Sequence, residues 1–463
     1  MKIYYLVLFL VLLFQIACSP AEEIESKPNI VFMLADDCSY YDLGAYGSKD
    51  AITPNIDQLG KDGMKFNKCY QSAPMCSPTR HNIYTGLYPV KTGAYPNHTM
   101  VKEGTLSVVQ YLQPLGYRVA LVGKRHIQPE SVFDFEYLTK GNEVDKYPEI
   151  DAFVKDATSK KEPFCLFFCS KEPHTPWDKG DETKFPPDQL TLPPFFVDTE
   201  ETRENFSRYL AEINYLDWQV GQILEIIEKN DLKENTLVIF ASEQGNSFPF
   251  AKWTCYDVGV RSALIARWPG EIQPNSIFNS IIEYTDLLPT FIEVAGGTPS
   301  DVLDGKSLLN ALHGDRQTHK EYAYSLQTTR GINNGSEHYG IRSVVNDRFR
   351  YILNLTPEAT FKNNITEKET WWNGWEEAAK TDEFAAAMVT KYQHRPAREL
   401  YDVVADPYNM NNLADDPQYQ ETMEQLHAKL ETWMKSCGDL GQETEMEALQ
   451  HMPKWLKSQT KQN

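Results

Sequence analysis

The chain has 463 residues, 41% hydrophobic and 24% charged, which is too long for one small core and too apolar for a disordered polymer. One large domain and a smaller one are expected. A formal net charge of -20 excludes a protein that grips nucleic acid by neutralising phosphates, and any polyanionic ligand would need local Lys and Arg to overcome that field.

Met1-Lys2 followed by the apolar run 3–14 has the charge-then-apolar order of a secretory signal, and the run is too short to span a bilayer. Residues 1–17 are therefore expected to be removed. Gln15-Ile16-Ala17-Cys18 resembles a bacterial lipoprotein processing site, with Gln15 where the usual pattern has Leu. Acylation of Cys18 would leave residues 18–27, with Glu22, Glu23 and Glu25, as a tether to the cell envelope or surface. Ordinary cleavage nearby would leave a periplasmic or secreted protein. No later segment approaches membrane-spanning length, so the membrane is expected to be met only through that lipid anchor.

A body over 28–317 comes next. Asn29 to Ala35 is an uninterrupted apolar run ending in Asp36-Asp37, the signature of a buried strand that delivers carboxylates at its carboxyl end. In α/β sheets that is where ligand sites lie. Similar runs at 117–123, 164–170, 236–242 and 263–268, each followed by polar residues, predict one large sheet. Phe206, Leu210, Ile213, Leu216, Val220, Ile223 and Ile227 recur at helical spacing and predict a helix covering one sheet face. The pattern changes after about Leu312, and a smaller domain is expected over 318–463. Within it, 339–354 reads as two strands around Asn346-Asp347, a hairpin signal, 421–433 is helical in pattern, and the end after Pro453 reads as a loose tail.

Eight cysteines are few for a disulfide framework in a chain this long. Cys165 and Cys169 sit four residues apart in a predicted strand, about 13 Å, which is too far for a bridge. Buried free thiols are expected there and at Cys38, with Cys69, Cys255 and Cys437 left open.

Cys76-Ser77-Pro78-Thr79-Arg80 has the form Cys-x-Pro-x-Arg. Thr53-Pro54-Asn55-Ile56-Asp57 precedes it, and Tyr84-Thr85-Gly86-Leu87-Tyr88-Pro89 follows. Asp36, Asp37, Glu243 and Gln244 offer oxygen at strand ends, the donor type of a hard cation. Gly123-Lys124-Arg125-His126 and Glu172-Pro173-His174-Thr175-Pro176 each follow a predicted strand, and Lys252 precedes Tyr256-Asp257-Val258-Gly259.

In these segments the chain resembles the formylglycine-dependent (type I) sulfatases. Asp286-Leu287-Leu288-Pro289-Thr290, Asp304-Gly305-Lys306-Ser307-Leu308 and Arg398-Glu399-Leu400-Tyr401-Asp402 extend the likeness toward the C-terminus. The resemblance implies an alkaline phosphatase-like α/β fold: a large mixed sheet between helices, with a smaller C-terminal antiparallel sheet and helix packed on it. It implies that a maturation enzyme oxidises Cys76 to formylglycine (3-oxoalanine). The hydrated aldehyde attacks sulfur with one hydroxyl and keeps the second to expel sulfate by C–O cleavage, whereas a plain Ser or Cys would be trapped as its ester. One Ca²⁺ is implied at Asp36, Asp37, Cys76, Glu243 and Gln244, with the last two departing from the usual Asp followed by Asn or His. Arg80, Lys124, His126, His174 and Lys252 complete the implied catalytic set. Lys124 would reach sulfate and nucleophile, His126 the formylglycine hydroxyl and His174 the leaving oxygen, while Asp257 stands where the family has Glu.

Ile127-Gln128-Pro129-Glu130-Ser131-Val132 and Tyr339-Gly340-Ile341-Arg342-Ser343-Val344 look most like the heparan N-sulfatase branch. That branch carries Arg where Lys252 stands, and a lysine gives up a proton far more readily. An O-sulfated substrate is therefore expected, with a sulfated algal polysaccharide such as ulvan favoured. Trp371, Trp372 and Trp375 would either stack on sugar or, as is more usual, seal a domain interface. Thr329, Arg330 and Arg342 are further pocket candidates. The rival functions are a heparan-type N-sulfatase, a phosphatase or phosphonate hydrolase of the same superfamily, and a non-catalytic glycan-binding lipoprotein if Cys76 stays a thiol.

Overall fold

The computed structural model of the chain describes residues 27–315 and 317–452. Cys18, the expected signal segment, all of the expected tether before Lys27 and the tail after Pro453 lie outside the described residues. Nine strands form the main sheet: β1 (Asn29–Ala35), β2 (Met64–Tyr70), β3 (Arg118–Gly123), β4 (Glu136–Tyr137), β5 (Phe164–Cys169), β6 (Thr236–Ser242), β7 (Arg261–Arg267), β8 (Ser276–Phe278) and β9 (Ile282–Glu283). Their order is β4-β3-β5-β1-β6-β7-β2-β8, with β9 also pairing β2.

Strands β4, β3, β5, β1 and β6 run parallel, so their carboxyl ends share one edge. Strand β7 runs against both β6 and β2, which makes the sheet mixed. In β1, Val31, Met33 and Ala35 enter one core and Ile30, Phe32 and Leu34 the other. Burial on both faces is why the run carries no polar residue from Ile30 to Ala35. Helices cover each side: α1 (Cys76–Thr85) carries the Cys-x-Pro-x-Arg segment, α2 (Glu200–Lys229) is the predicted amphipathic helix, and α3 (Leu287–Val294) packs on the opposite face. All seven apolar residues predicted for α2 are buried in one core.

A second sheet, β10 (Ala323–Thr328), β11 (Gly340–Val345), β12 (Phe349–Asn354) and β13 (Arg398–Asp402), is antiparallel throughout. The β11–β12 hairpin turns at Asn346-Asp347, where Asn346 N–H donates to Phe349 O at 3.0 Å. In the same C-terminal part α4 (Thr370–Ala378) packs on α2, and α5 (Gln420–Cys437) packs on this sheet and sends Leu426, Leu430 and Trp433 into its core. Tyr88, Val90 and Tyr95, from the segment after α1, join that core and tie the two sheets together. All seven described cysteines are buried and free, which settles Cys69, Cys255 and Cys437 alongside the three expected thiols. No helix among the described residues is long and apolar enough to cross a membrane.

Candidate active site

Four parallel strands end beside one another, and each delivers chemistry there. Strand β1 hands over Asp36 and Asp37, β3 Lys124 and His126, β5 the turn with His174, and β6 Glu243 and Gln244. Backbone bonds stitch these ends: Asp36 N–H donates to Glu172 O at 3.0 Å, Glu243 N–H to Ala35 O at 2.9 Å and Lys124 N–H to Cys169 O at 2.9 Å. Gly123 is required at its place, since its φ is +88° and a Cβ would fall 2.1 Å from Cys169 O.

Cys76 is the first residue of α1, only 2% exposed, and its Sγ faces this edge. Asp36 Oδ1 lies 3.5 Å from the sulfur, Asp37 Oδ1 3.8 Å and Gln244 Nε2 3.1 Å. Burial, reinforced by Glu243, pushes the thiol well above its ordinary value. At neutral pH it stays protonated and is a poor nucleophile.

Cations balance the carboxylates. Lys124 Nζ contacts Asp36 Oδ2, while Lys252 Nζ lies 2.6 Å from Asp37 Oδ2, which also accepts from Ser247 Oγ at 2.9 Å. Burial opposes charge on both aspartates, yet Lys124 holds Asp36 well below the carboxylate range and Lys252 lowers Asp37. Burial would discharge Lys252 too, but Asp37 overrides it and holds the ammonium charged. His174 Nδ1 donates to Thr175 O at 2.6 Å, and its Nε2 stands 3.6 Å from Asp37 Oδ2. Lys252, then burial, drive its basicity down, so the ring is neutral near pH 7.

Asp36, Asp37, Cys76 and His174 place one ligand atom each within 4.8 Å of one another. Glu243, expected among the metal ligands, lies against Asp36 and is gripped by Arg80, whose Nε and Nη2 reach its two oxygens at 2.6 and 3.3 Å. Burial pushes that carboxyl up, against the pull of Arg80. Arg80 Nη1 also donates to Lys124 O at 2.7 Å, so the guanidinium braces β6 against the end of β3. Gln244 reaches inward, its Nε2 on Asp37 and Cys76 and its Oε1 buried without a partner. An open cleft of about 330 Å³ leads to the site past Asp36, Lys124, Asn142, Lys171, His174 and Lys179.

His126 does not contact Cys76. Its Nε2 lies 2.7 Å from Nδ1 of His98, a residue no motif singled out because it stands in an irregular loop after Tyr95-Pro96. Ser247 and Asn97 escape sequence reasoning for the same reason. The tryptophans take the more usual of their two expected roles: Trp371, Trp372 and Trp375 are 3%, 0% and 0% exposed, too buried to stack on sugar. Trp371 stacks on Trp177 at 5.2 Å and Trp375 Nε1 donates to Thr202 Oγ1 at 2.9 Å, so they seal α4 against α2 and the His174 turn. Arg342 is likewise no pocket residue, being fully buried between Asp439 and Glu445. Thr329 is buried, and Arg330 pairs with Glu337 and His338 at the surface.

The sulfatase family model matches residues 28–297, and the model for N-sulphoglucosamine sulphohydrolase, C-terminal, matches residues 245–362. An ulvan-active sulfatase of Formosa agariphila is 34% identical over 430 residues, covering 90% of this chain and 82% of the relative. The N-sulphoglucosamine sulphohydrolase of Homo sapiens is 25% identical over 480 residues, covering 89% and 90%. The crystal structure of yidJ from Bacteroides fragilis shares the fold with a TM-score of 0.72 at 21% identity, covering 92% of this chain and 99% of that one. With the first model spanning more than half of its length, the chain belongs to the sulfatase family of enzymes, which hydrolyse sulfate esters.

Proposed function

We propose that this sulfatase releases sulfate from O-sulfated sugars of an algal polysaccharide such as ulvan, using a formylglycine made from Cys76 beside one Ca²⁺. The observation that carries the proposal is the position of Cys76 Sγ, at the head of α1 and within 3.5 Å of Asp36 Oδ1, among Asp37, Gln244, Lys124 and Lys252. A protonated thiol there has little nucleophilic use, which favours its conversion to another group.

The donor set fits a hard cation. Two buried carboxylates stand side by side next to Gln244, whose Oε1 is buried without a partner, and an unsatisfied buried polar atom is costly. Asp36, Asp37, Glu243, Gln244 and residue 76 would hold Ca²⁺, which when bound neutralises sulfate charge and favours an ionised nucleophile. Formylglycine supplies one hydroxyl for attack and a second for release of sulfate. Lys124, charged and on the cleft wall, is placed to receive a sulfate oxygen. Between His174 and Lys252, only Lys252 holds a spare proton at neutral pH, so the leaving sugar oxygen draws on it; neutral His174, its Nδ1–H committed to Thr175 O, accepts at Nε2 from the sugar hydroxyl once that oxygen is protonated.

The O-sulfate assignment rests on Lys252 and on the 34% likeness to an ulvan-active sulfatase. The C-terminal match over 245–362 and the likeness to the human N-sulphoglucosamine sulphohydrolase favour an N-sulfatase as the second reading. Sulfate release from O-sulfated ulvan fragments, with negligible turnover of N-sulfoglucosamine and of phosphate esters, is the expected result. A high rate on N-sulfoglucosamine alone would hand the case to the second reading. We further propose export and acylation at Cys18, in which case Cys18→Ala moves the enzyme from the membrane fraction to the soluble fraction.

A further inference from the structure

A run of three hydrogen bonds leads from the head of α1 to His126, and its polarity can be followed atom by atom. Ser77 N–H donates to Asn97 Oδ1 at 3.3 Å, which fixes the orientation of that amide. Its other end, Nδ2, lies 3.3 Å from His98 Nε2. An amide nitrogen only donates, so His98 Nε2 accepts, and a neutral imidazole that accepts at Nε2 carries its proton on Nδ1. That proton points along the 2.7 Å contact to His126 Nε2, which must accept in turn. His126 is then left with its own proton on Nδ1, an atom that is buried and without a partner. Burial, and next the Lys124 charge, keep this imidazole neutral.

The arrangement is built rather than incidental. His98 and His126 both hold left-handed backbone, with φ of 59° and 50°, a conformation uncommon outside glycine. The segment is also clamped from the second sheet's side. Asn97 N–H donates to Arg330 O at 3.3 Å, and Gly331 packs so closely that a Cβ would fall 2.1 Å from Asn97 O.

We propose that Asn97 and His98 are positioning residues that lock His126 as its Nδ1–H tautomer, which leaves that N–H as a hydrogen-bond donor for an oxygen in the site. This rests on the sulfatase reading for the identity of that oxygen, though not for the tautomer. In neutral histidine the proton usually sits on Nε2, so the assignment is distinctive. Which ring nitrogen carries it follows from the hydrogen bond made by the other.

The decisive measurement is long-range ¹H–¹⁵N correlation on full-length protein labelled with ¹⁵N-histidine, with His126 identified by the signal lost in His126→Asn. A protonated Nδ1 and a bare Nε2 are expected, and a proton on Nε2 in the wild type overturns the proposal whatever the enzyme's substrate proves to be. Asn97→Asp replaces a donor with an acceptor of the same shape and should reverse the relay. His126 should switch to Nε2–H, with kcat on a sulfate ester falling on the order of a hundredfold, the usual cost of one lost anion-stabilising donor, and KM little changed. An unaltered tautomer in that variant also counts against the proposal. His98→Asn, whose amide can donate from the place of Nδ1, should recover most of the kcat that His98→Ala loses. Equal losses in the two would overturn the positioning role.

Discussion

The thiol of Cys76 is held protonated by burial and by Glu243, so the chemistry at this position depends on what the sulfur becomes. Cys76→Ala should lower sulfate release by a factor of roughly a thousand or more, as removal of a covalent nucleophile does, while circular dichroism and melting stay near wild type. Comparable turnover would remove the central role of this residue. Asp37 binds Lys252, Ser247 and Gln244 at once, and chelation should abolish activity that added Ca²⁺ restores. Asp37→Ala should not be rescued by Ca²⁺, and full activity in metal-free wild type would refute the metal assignment. Proton supply is a separate matter. General-acid help is worth about a hundredfold to ten-thousandfold and counts least when the leaving group is stable as an anion. Lys252→Ala should therefore lose far more kcat/KM on a sugar sulfate than on a nitrophenyl sulfate. His174→Ala should do the same through loss of the acceptor for the departing hydroxyl, and equal losses on both substrates would show that these residues only hold sulfate.

At the scale of elements, the same parallel strands that are easiest to read in sequence are the ones that build the site. Strands β1, β3, β5 and β6 are buried on both faces, so each appears as a largely apolar run, and the polar residues that follow each lie at the shared edge. That made Asp36, Lys124, His174 and Glu243 visible as a group. Strand β2 was invisible, because Lys65, Asn67 and Lys68 interrupt Met64–Tyr70 where it lies only partly buried. Asn97 and His98 were invisible for another reason: loops have no period, and their pairing with Ser77 and His126 is set by tertiary contact alone. Helix α2 adds a support for the His174 turn that its apolar spacing could not announce. Glu212 Oε1 accepts from Asp178 N–H at 2.7 Å and from Lys179 N–H at 3.2 Å, and its Oε2 is buried without a partner. Burial, then Glu172, push this carboxyl from an ordinary 4.5 up to about 8. Its contribution to stability is thus complete below 4.5 and is lost as pH rises through 8. Glu212→Gln keeps the acceptor without the charge, so the melting temperature of the variant should gain on wild type between about pH 5 and pH 9. A constant difference across that range would contradict the shift.

For the molecule as a whole, buried ion pairs join parts distant in sequence. Lys320 lies 2.7 Å from Glu283 and 2.8 Å from Asp286, tying the approach to β10 to the main sheet. Arg342 on β11 is wholly buried against Asp439 and Glu445, which follow α5. Removing one partner of a buried pair strands the other's charge and typically costs about 3–5 kcal/mol. Arg342→Met should lose stability on that scale in denaturant titration, and a loss under about 1 kcal/mol would mean that the acids relax to water or take up protons. A different consequence follows from the depth of α1. Cys76, Ser77, Thr79 and Arg80 are at most 2% exposed, and the whole helix is buried. A second enzyme cannot grasp a thiol in that position, so on the proposed mechanism its enzymatic oxidation has to happen while the chain is still unfolded. Folding then acts as a deadline. If activity requires the oxidised residue, a molecule that reaches this structure with its sulfur intact stays inactive, and the active fraction of a preparation records the outcome of a race run before the enzyme existed in this form.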